Sequence, residues 1–190
     1  MEKQGDALHL MHGSMFVLLE RFVENTHDHS TWVKMLKEAG VEHMSFHMQE
    51  MYPTHEIFAI VGCLSETTGQ SIFDLMEEFG EFMVPDLMLL YSRYVRPEWR
   101  TYEMLINTEE AMHGAARRED IRTNPPKLLV TKKGVDQLMI EYSSKRRMAG
   151  VAVGIVKGIA RYFNESDKVE VMLLSPADAE NVQIKVDFLS

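Results

Sequence analysis

This 190-residue chain has a single cysteine, Cys63. One thiol cannot form a disulfide within the chain, and thiolate-rich zinc sites, which need several, are excluded with it. Long apolar runs are missing too, and no stretch approaches the roughly 20 residues of a membrane span. The N-terminus lacks the basic region and apolar core of a signal peptide, so a cytoplasmic location is expected. Positive charge is scarce: a formal net charge of −9 argues against nucleic acid as the main partner, because phosphate binding is driven by clustered positive charge. The local cluster Lys145-Arg146-Arg147 does not reverse that balance. What the chain does have is 45% hydrophobic residues, fifteen of them methionine, enough for one substantial core or two closely packed lobes.

The first two-thirds read as helices. Met15, Phe16, Leu18, Leu19, Phe22 and Val23 form a broad apolar face over residues 14–23. Ser30 or Thr31 is placed to cap a second helix that turns Trp32, Met35 and Leu36 inward before Gly40 stops it. A third helix starts at Pro53-Thr54 and ends near Gly69. A fourth, capped by Ser71, is expected to kink or end near Pro85. A further helix over about residues 98–118 carries His113. After Pro125-Pro126 the period changes, with strands over 127–131 and 137–142 around a turn at Gly134. A helix over about 147–163 follows, then a second hairpin over 169–174 and 182–188. The expected fold is α+β: a helical lobe over about residues 11–124, packed on a lobe over about 125–190 with a four-stranded antiparallel sheet and one long helix. The two lobes together make one domain over residues 1–190.

Tyr142, Ser144 and Arg146 stand at alternate positions, so on an extended chain their side chains share a face. Phenol, hydroxyl and guanidinium offer hydrogen-bond donors suited to a pair of carboxylates. Just downstream, residues 149–160 are small and apolar enough for a large flat ligand to lie against them. Anionic tips on an apolar body describe a heme. His113, on a helix beside Gly114, Ala115 and Ala116, is a suitable axial ligand for ferrous iron. Six of the other seven histidines pair without a third ligand: His9 with His12, His27 with His29, His43 with His47. Glu110-Ala111-Met112-His113 matches half of a helical di-iron motif whose second copy is absent.

In order along the chain, Met11-His12-Gly13, His113, Pro125-Pro126 and Tyr142-x-Ser144-x-Arg146 resemble the heme nitric oxide/oxygen-binding (H-NOX) domains, the sensor family that includes the heme domain of soluble guanylate cyclase. The likeness runs over roughly residues 11–188. It departs from the family pattern in the ten residues before Met11 and in 117–124, which lack the usual Pro-Gly pair. The resemblance implies heme b held between the lobes, with His113 as iron ligand, Tyr142, Ser144 and Arg146 on the propionates, and Pro126 pressing on the porphyrin. It further implies a gas side formed by Met15, Leu19, Met83, Val84, Leu87, Val151 and Ile155. Oxygen-binding members carry a tyrosine donor nine residues after the clamp tyrosine, where this chain has Val151; Tyr52 and Tyr91 are the other phenols to be placed.

The expectation is therefore a non-enzymatic sensor that binds nitric oxide and carbon monoxide, excludes oxygen, and signals when His113 detaches and the heme relaxes against Pro126. Because the sequence ends at Ser190 without a catalytic domain, the expected partner is a separate signalling protein, such as a histidine kinase or a cyclic-dinucleotide enzyme. Two other readings stand beside it. A heme peroxidase or oxygenase would want a distal acid, base or cation, which these positions do not supply. A domain of the same fold without heme, or with another ligand, would serve as an interaction module.

Overall fold

The computed structural model describes residues 10–189. They fall into two compact units, one reaching Leu75 and including Arg122–Asn124, the other comprising Met76–Ile121 and the residues from Pro125 onward. The helix that carries His113 thus groups with the sheet. The change from helix to strand does occur where the sequence places it, after Pro125-Pro126.

The first unit contains β1 (Leu10–His12), α1 (Gly13–Thr26), α2 (His29–Glu38), β2 (Met51–Pro53), α3 (Thr54–Thr68) and the start of α4 (Ile72–Leu90). The apolar face foreseen for α1 is buried: Phe16, Leu18, Leu19, Phe22 and Val23 all lie in the core, as do Trp32, Met35 and Leu36 of α2 and Ile57, Ile60, Val61 and Leu64 of α3. α2 is capped by Asp28, whose carboxylate accepts from the Thr31 amide at 2.7 Å, so Ser30 and Thr31 lie inside the helix. A carboxylate at a helix N-terminus both accepts an otherwise unpaired amide and meets the positive end of the dipole. The short antiparallel pair β1–β2, Leu10 opposite Pro53 and His12 opposite Met51, has no strong sequence signal. It is fixed by Gly13, whose amide donates to the Glu50 carbonyl at 2.7 Å. A Cβ at Gly13 would stand 1.9 Å from the His47 carbonyl oxygen, which is the physical reason for glycine in Met11-His12-Gly13. Around this junction Phe16 stacks on Phe46 at 4.6 Å, and Phe46 meets the edge of Tyr52 at 4.8 Å.

In the second unit α4 continues through Pro85 to Leu90 rather than ending there. A continuous helical stretch follows: α5 (Thr101–Thr108), a π turn (Glu109–His113) and α6 (Gly114–Glu119). The sheet runs β3 (Lys127–Lys132), β4 (Gln137–Ser143), β6 (Asn181–Phe188) and β5 (Val169–Leu173) in that order, all antiparallel, with α7 (Ala149–Tyr162) between β4 and β5 in sequence. Alternation puts Leu138, Ile140 and Tyr142 of β4 opposite Val186, Ile184 and Val182 of β6, all six buried on one face. The tight turn after β3 has Gly134 at φ 128°, a region open to glycine alone.

α7 packs closely on α4. The small residues of 149–160, read in the sequence as a bed for a flat ligand, are used at least in part for this contact: a Cβ on Gly154 would stand 1.9 Å from the Glu77 carbonyl oxygen, and one on Gly158 2.6 Å from Val84 Cγ2. Gly154→Ala is therefore expected to destabilise the protein by about 1–3 kcal/mol, seen as a Tm lowered by roughly 2–4 °C per kcal/mol. Gly62→Ala on α3, where a Cβ meets nothing within 4 Å, is the matched control and should be neutral or slightly stabilising in the same thermal scan.

Candidate functional site

His113 ends the π turn in the 101–119 helical stretch, where the Gly114 amide bonds to the carbonyl of Glu109 five residues back. Such a turn inserts one extra residue into the helix and is frequent at functional positions. The His113 side chain is 18% exposed, and its Nδ1 lies 2.9 Å from Oε2 of Glu109. The Pro126 backbone also acts on the ring, drawing its pKa up. Burial pushes the imidazole pKa below its ordinary value, with Glu109 pulling partly the other way. The ring is thus neutral near neutral pH, the form that binds a metal.

Glu109 does more than meet His113. Its Oε1 accepts from Arg117 Nη2 at 2.8 Å, and its Oε2 also accepts from the Leu128 amide at 3.1 Å. Burial works to raise the Glu109 pKa, but the hydrogen bonds from His113, Arg117 and Leu128 outweigh it and hold the carboxyl below its ordinary range. Neither Glu109 nor Arg117 stands out in the sequence. Their spacing is the signal that was available: four residues before and four after His113, on the same helix face.

Tyr142 is buried on β4, directly opposite Leu128 of β3. Burial raises its phenol pKa, while the Ser144 hydroxyl, the Met148 backbone and the Arg146 guanidinium draw it back. The three clamp residues therefore lie together, but not along one extended face as their spacing suggests. β4 stops at Ser143, Ser144 continues the sheet by donating its amide to the Glu180 carbonyl at 2.8 Å, and a tight turn follows with Arg147 N bonded to the Ser144 carbonyl at 3.1 Å. Arg147 has φ 53°. The turn swings Arg146 back over Ser144, whose hydroxyl accepts the Arg146 amide at 3.2 Å. Arg146 is half-buried, and that burial lowers the pKa of its guanidinium. A cation drawn out of water in this way gains from a nearby anion.

The residues assigned to the gas side are apolar where they lie. Met83 and Val84 on α4 and Val151 on α7 are buried, and Leu87 and Ile155 are half-buried. A Cβ on Gly80 would stand 2.4 Å from the Val151 carbonyl oxygen, so Val151 lies directly beside α4. Leu19 is buried and Met15 half-buried on α1 in the first unit. The Tyr52 hydroxyl accepts the His47 amide at 2.8 Å inside the aromatic cluster. Tyr91 is half-exposed at the C-terminal end of α4, its phenol raised by burial.

The donor set fits a heme: one neutral histidine for the iron, and a phenol, a hydroxyl and a guanidinium for two carboxylates. Among the described residues no three His, Cys, Asp or Glu side chains gather to hold a metal by themselves. His29 and His43 are instead paired with Glu24 and Glu56, and His9 lies outside the described residues. Burial raises the thiol pKa of Cys63, which favours the inert thiol.

The family model described as Haem-NO-binding matches residues 12–171. Soluble guanylate cyclase 89Db of Drosophila melanogaster is 23% identical over 170 residues, which is 88% of this chain and 25% of that protein. Soluble guanylate cyclase 89Da of the same organism is 23% identical over 155 residues, 80% of this chain and 23% of that protein. The chain spans about a quarter of the length of these curated relatives. An H-NOX protein from S. oneidensis, solved in the Fe(II)NO ligation state, superposes with a TM-score of 0.86 at 20% identity, covering 95% of this chain and all of that one. The Fe(II) unliganded H-NOX protein from K. algicida gives 0.83 at 21% identity, covering 95% and 97%. At these identities the solved structures establish the α+β fold.

Proposed function

The chain belongs to the haem-NO-binding family, the H-NOX domains, a family of heme-based gas sensors, and on that premise we propose that it senses nitric oxide through heme b. The reading is supported most directly by one observation: His113, Pro126, Tyr142, Ser144 and Arg146, scattered over 34 positions of sequence, all belong to one compact unit, with His113 beside Pro126 and the three clamp residues clustered. When bound, the heme would supply a ferrous iron able to take up a diatomic gas. His113 would hold the iron, Tyr142, Ser144 and Arg146 would bind the propionates, and Pro126 would press on the ring.

Selectivity follows from what the gas-side residues lack. Met83, Val84, Leu87, Val151 and Ile155 carry no N–H or O–H on their side chains, and Met15 and Leu19 are equally apolar. Dioxygen depends on a donor, whereas nitric oxide and carbon monoxide do not, so this set favours the latter two. With nitric oxide bound, loss of His113 from the iron would free the helical stretch that carries it. Such a release biases a two-state element, which is what a switch requires. The output is assigned to a signalling protein, a histidine kinase or a cyclic-dinucleotide enzyme, in the cytoplasm. The domain itself acts as a sensor and not as a catalyst. No helix among the described residues is long and apolar enough to cross a membrane.

An absorption spectrum of the reduced protein tests this reading. A Soret band is expected, shifted by nitric oxide or carbon monoxide and unmoved by oxygen. Absence of the band after reconstitution with heme would favour the interaction module instead, and a stable oxygen complex would overturn the proposed selectivity.

A further inference from the structure

A single carboxylate joins the residues assigned to the iron with those assigned to the propionates. Glu109 accepts from Nδ1 of His113 at 2.9 Å and from the backbone amide of Leu128 at 3.1 Å, both on Oε2, while Oε1 takes Arg117 at 2.8 Å. Leu128 is the second residue of β3 and stands opposite Tyr142 on β4. The path from His113 to Tyr142 therefore has three steps: one side-chain hydrogen bond, one hydrogen bond to backbone, and one cross-strand pair. Each lies within the second unit.

We infer that Glu109 is a positioning residue: it fixes which nitrogen of His113 faces iron, and it ties the histidine helix to the strand pair that bears the propionate clamp. The inference rests on His113 being the iron ligand. An ionised carboxylate can only accept, so Nδ1 must carry the proton and Nε2 keeps the lone pair needed for coordination. A carboxylate behind a metal-bound imidazole also strengthens the imidazole as a donor. Arg117 on the second oxygen keeps the carboxylate from turning away. The Leu128 contact gives the arrangement a consequence beyond orientation. When His113 moves, the group that holds it is bonded to the first strand of the sheet just after Pro126, so displacement of the ligand pulls on β3 directly. Sequence distance hides this link, since Glu109 and Leu128 are nineteen positions apart.

Glu109→Gln, which keeps the shape but not the charge, and Glu109→Ala test it in the full chain by two measurements. Amide hydrogen exchange at Leu128, recorded without heme, should quicken by about tenfold or more in the alanine variant, as expected for loss of a hydrogen bond to a charged acceptor. The iron–histidine stretching band of the ferrous protein, read by resonance Raman, should move to lower frequency in both variants, less for glutamine than for alanine. Heme should also leave faster, by about 10- to 100-fold for alanine. A band unmoved in both variants overturns the positioning role, and Leu128 exchange unchanged in the alanine variant overturns the tie to the sheet. Where the alanine variant does not fold, the near-isosteric glutamine variant decides the first point by the band, and Glu109→Met, similar in length and without an acceptor oxygen, decides the second by Leu128 exchange. A wild-type protein that binds heme but shows no iron–histidine band overturns the assignment of His113 instead, and the exchange measurement still decides the tie to β3.

Discussion

Val151→Tyr is expected to give a protein that holds oxygen in aerobic spectra where the wild type does not. The position lies nine residues beyond Tyr142, is buried, and adjoins α4 beside Gly80. One phenolic donor reaching a charged acceptor is worth about 1.5–3 kcal/mol, roughly a ten- to hundredfold gain in oxygen affinity. The larger side chain opposes part of this by overpacking, at a cost of about 1–3 kcal/mol of folding stability. Val151→Phe adds almost the same bulk without the hydroxyl. It should lose the stability and gain no oxygen binding, and a phenylalanine variant that binds oxygen as well as the tyrosine one would show that space, and not a hydrogen bond, sets the preference.

The second large effect is expected at His113. His113→Gly removes the proposed iron ligand while leaving Glu109, Arg117 and the proposed clamp in place, and the variant should release heme at least about 10- to 100-fold faster than the wild type. Free imidazole, which can occupy the space left by the ring, should restore much of the retention. With the ligand lost permanently, the partner's response should remain at its nitric oxide level whether or not the gas is present. A variant that keeps its heme unchanged and still responds to nitric oxide would remove His113 from the mechanism.

The elements and their order are legible in the sequence because they follow from periodic burial. The apolar face of α1, the αL stop at Gly69, and the alternation of Leu138, Ile140 and Tyr142 are all set by local patterning, and the helices and strands lie within a few residues of where that patterning puts them. Contacts that depend on distant backbone were not legible. The pairing of β1 with β2 rests on Gly13 meeting the carbonyls of His47 and Glu50, and the close approach of α4 and α7 rests on Gly154 meeting Glu77. Neither partner is marked by its own neighbours. The proposed clamp shows both sides of this: its residue types and order suggest a chemistry, yet alternate spacing suggests a straight strand where a turn at 144–147 bonds the Arg146 amide to the Ser144 hydroxyl. Glu109 was missed for a different reason. In a regular helix an acidic residue one turn before a histidine is commonplace, and only the π turn and the Leu128 amide give this one a distinct role.

The central claim is that the His113 imidazole binds the iron. Resonance Raman spectra of the ferrous wild type and of His113→Gly test it most directly: an iron–histidine stretching band is predicted in the first and absent from the second. A band that persists after His113 is removed, or a heme-loaded wild type without one, would contradict it.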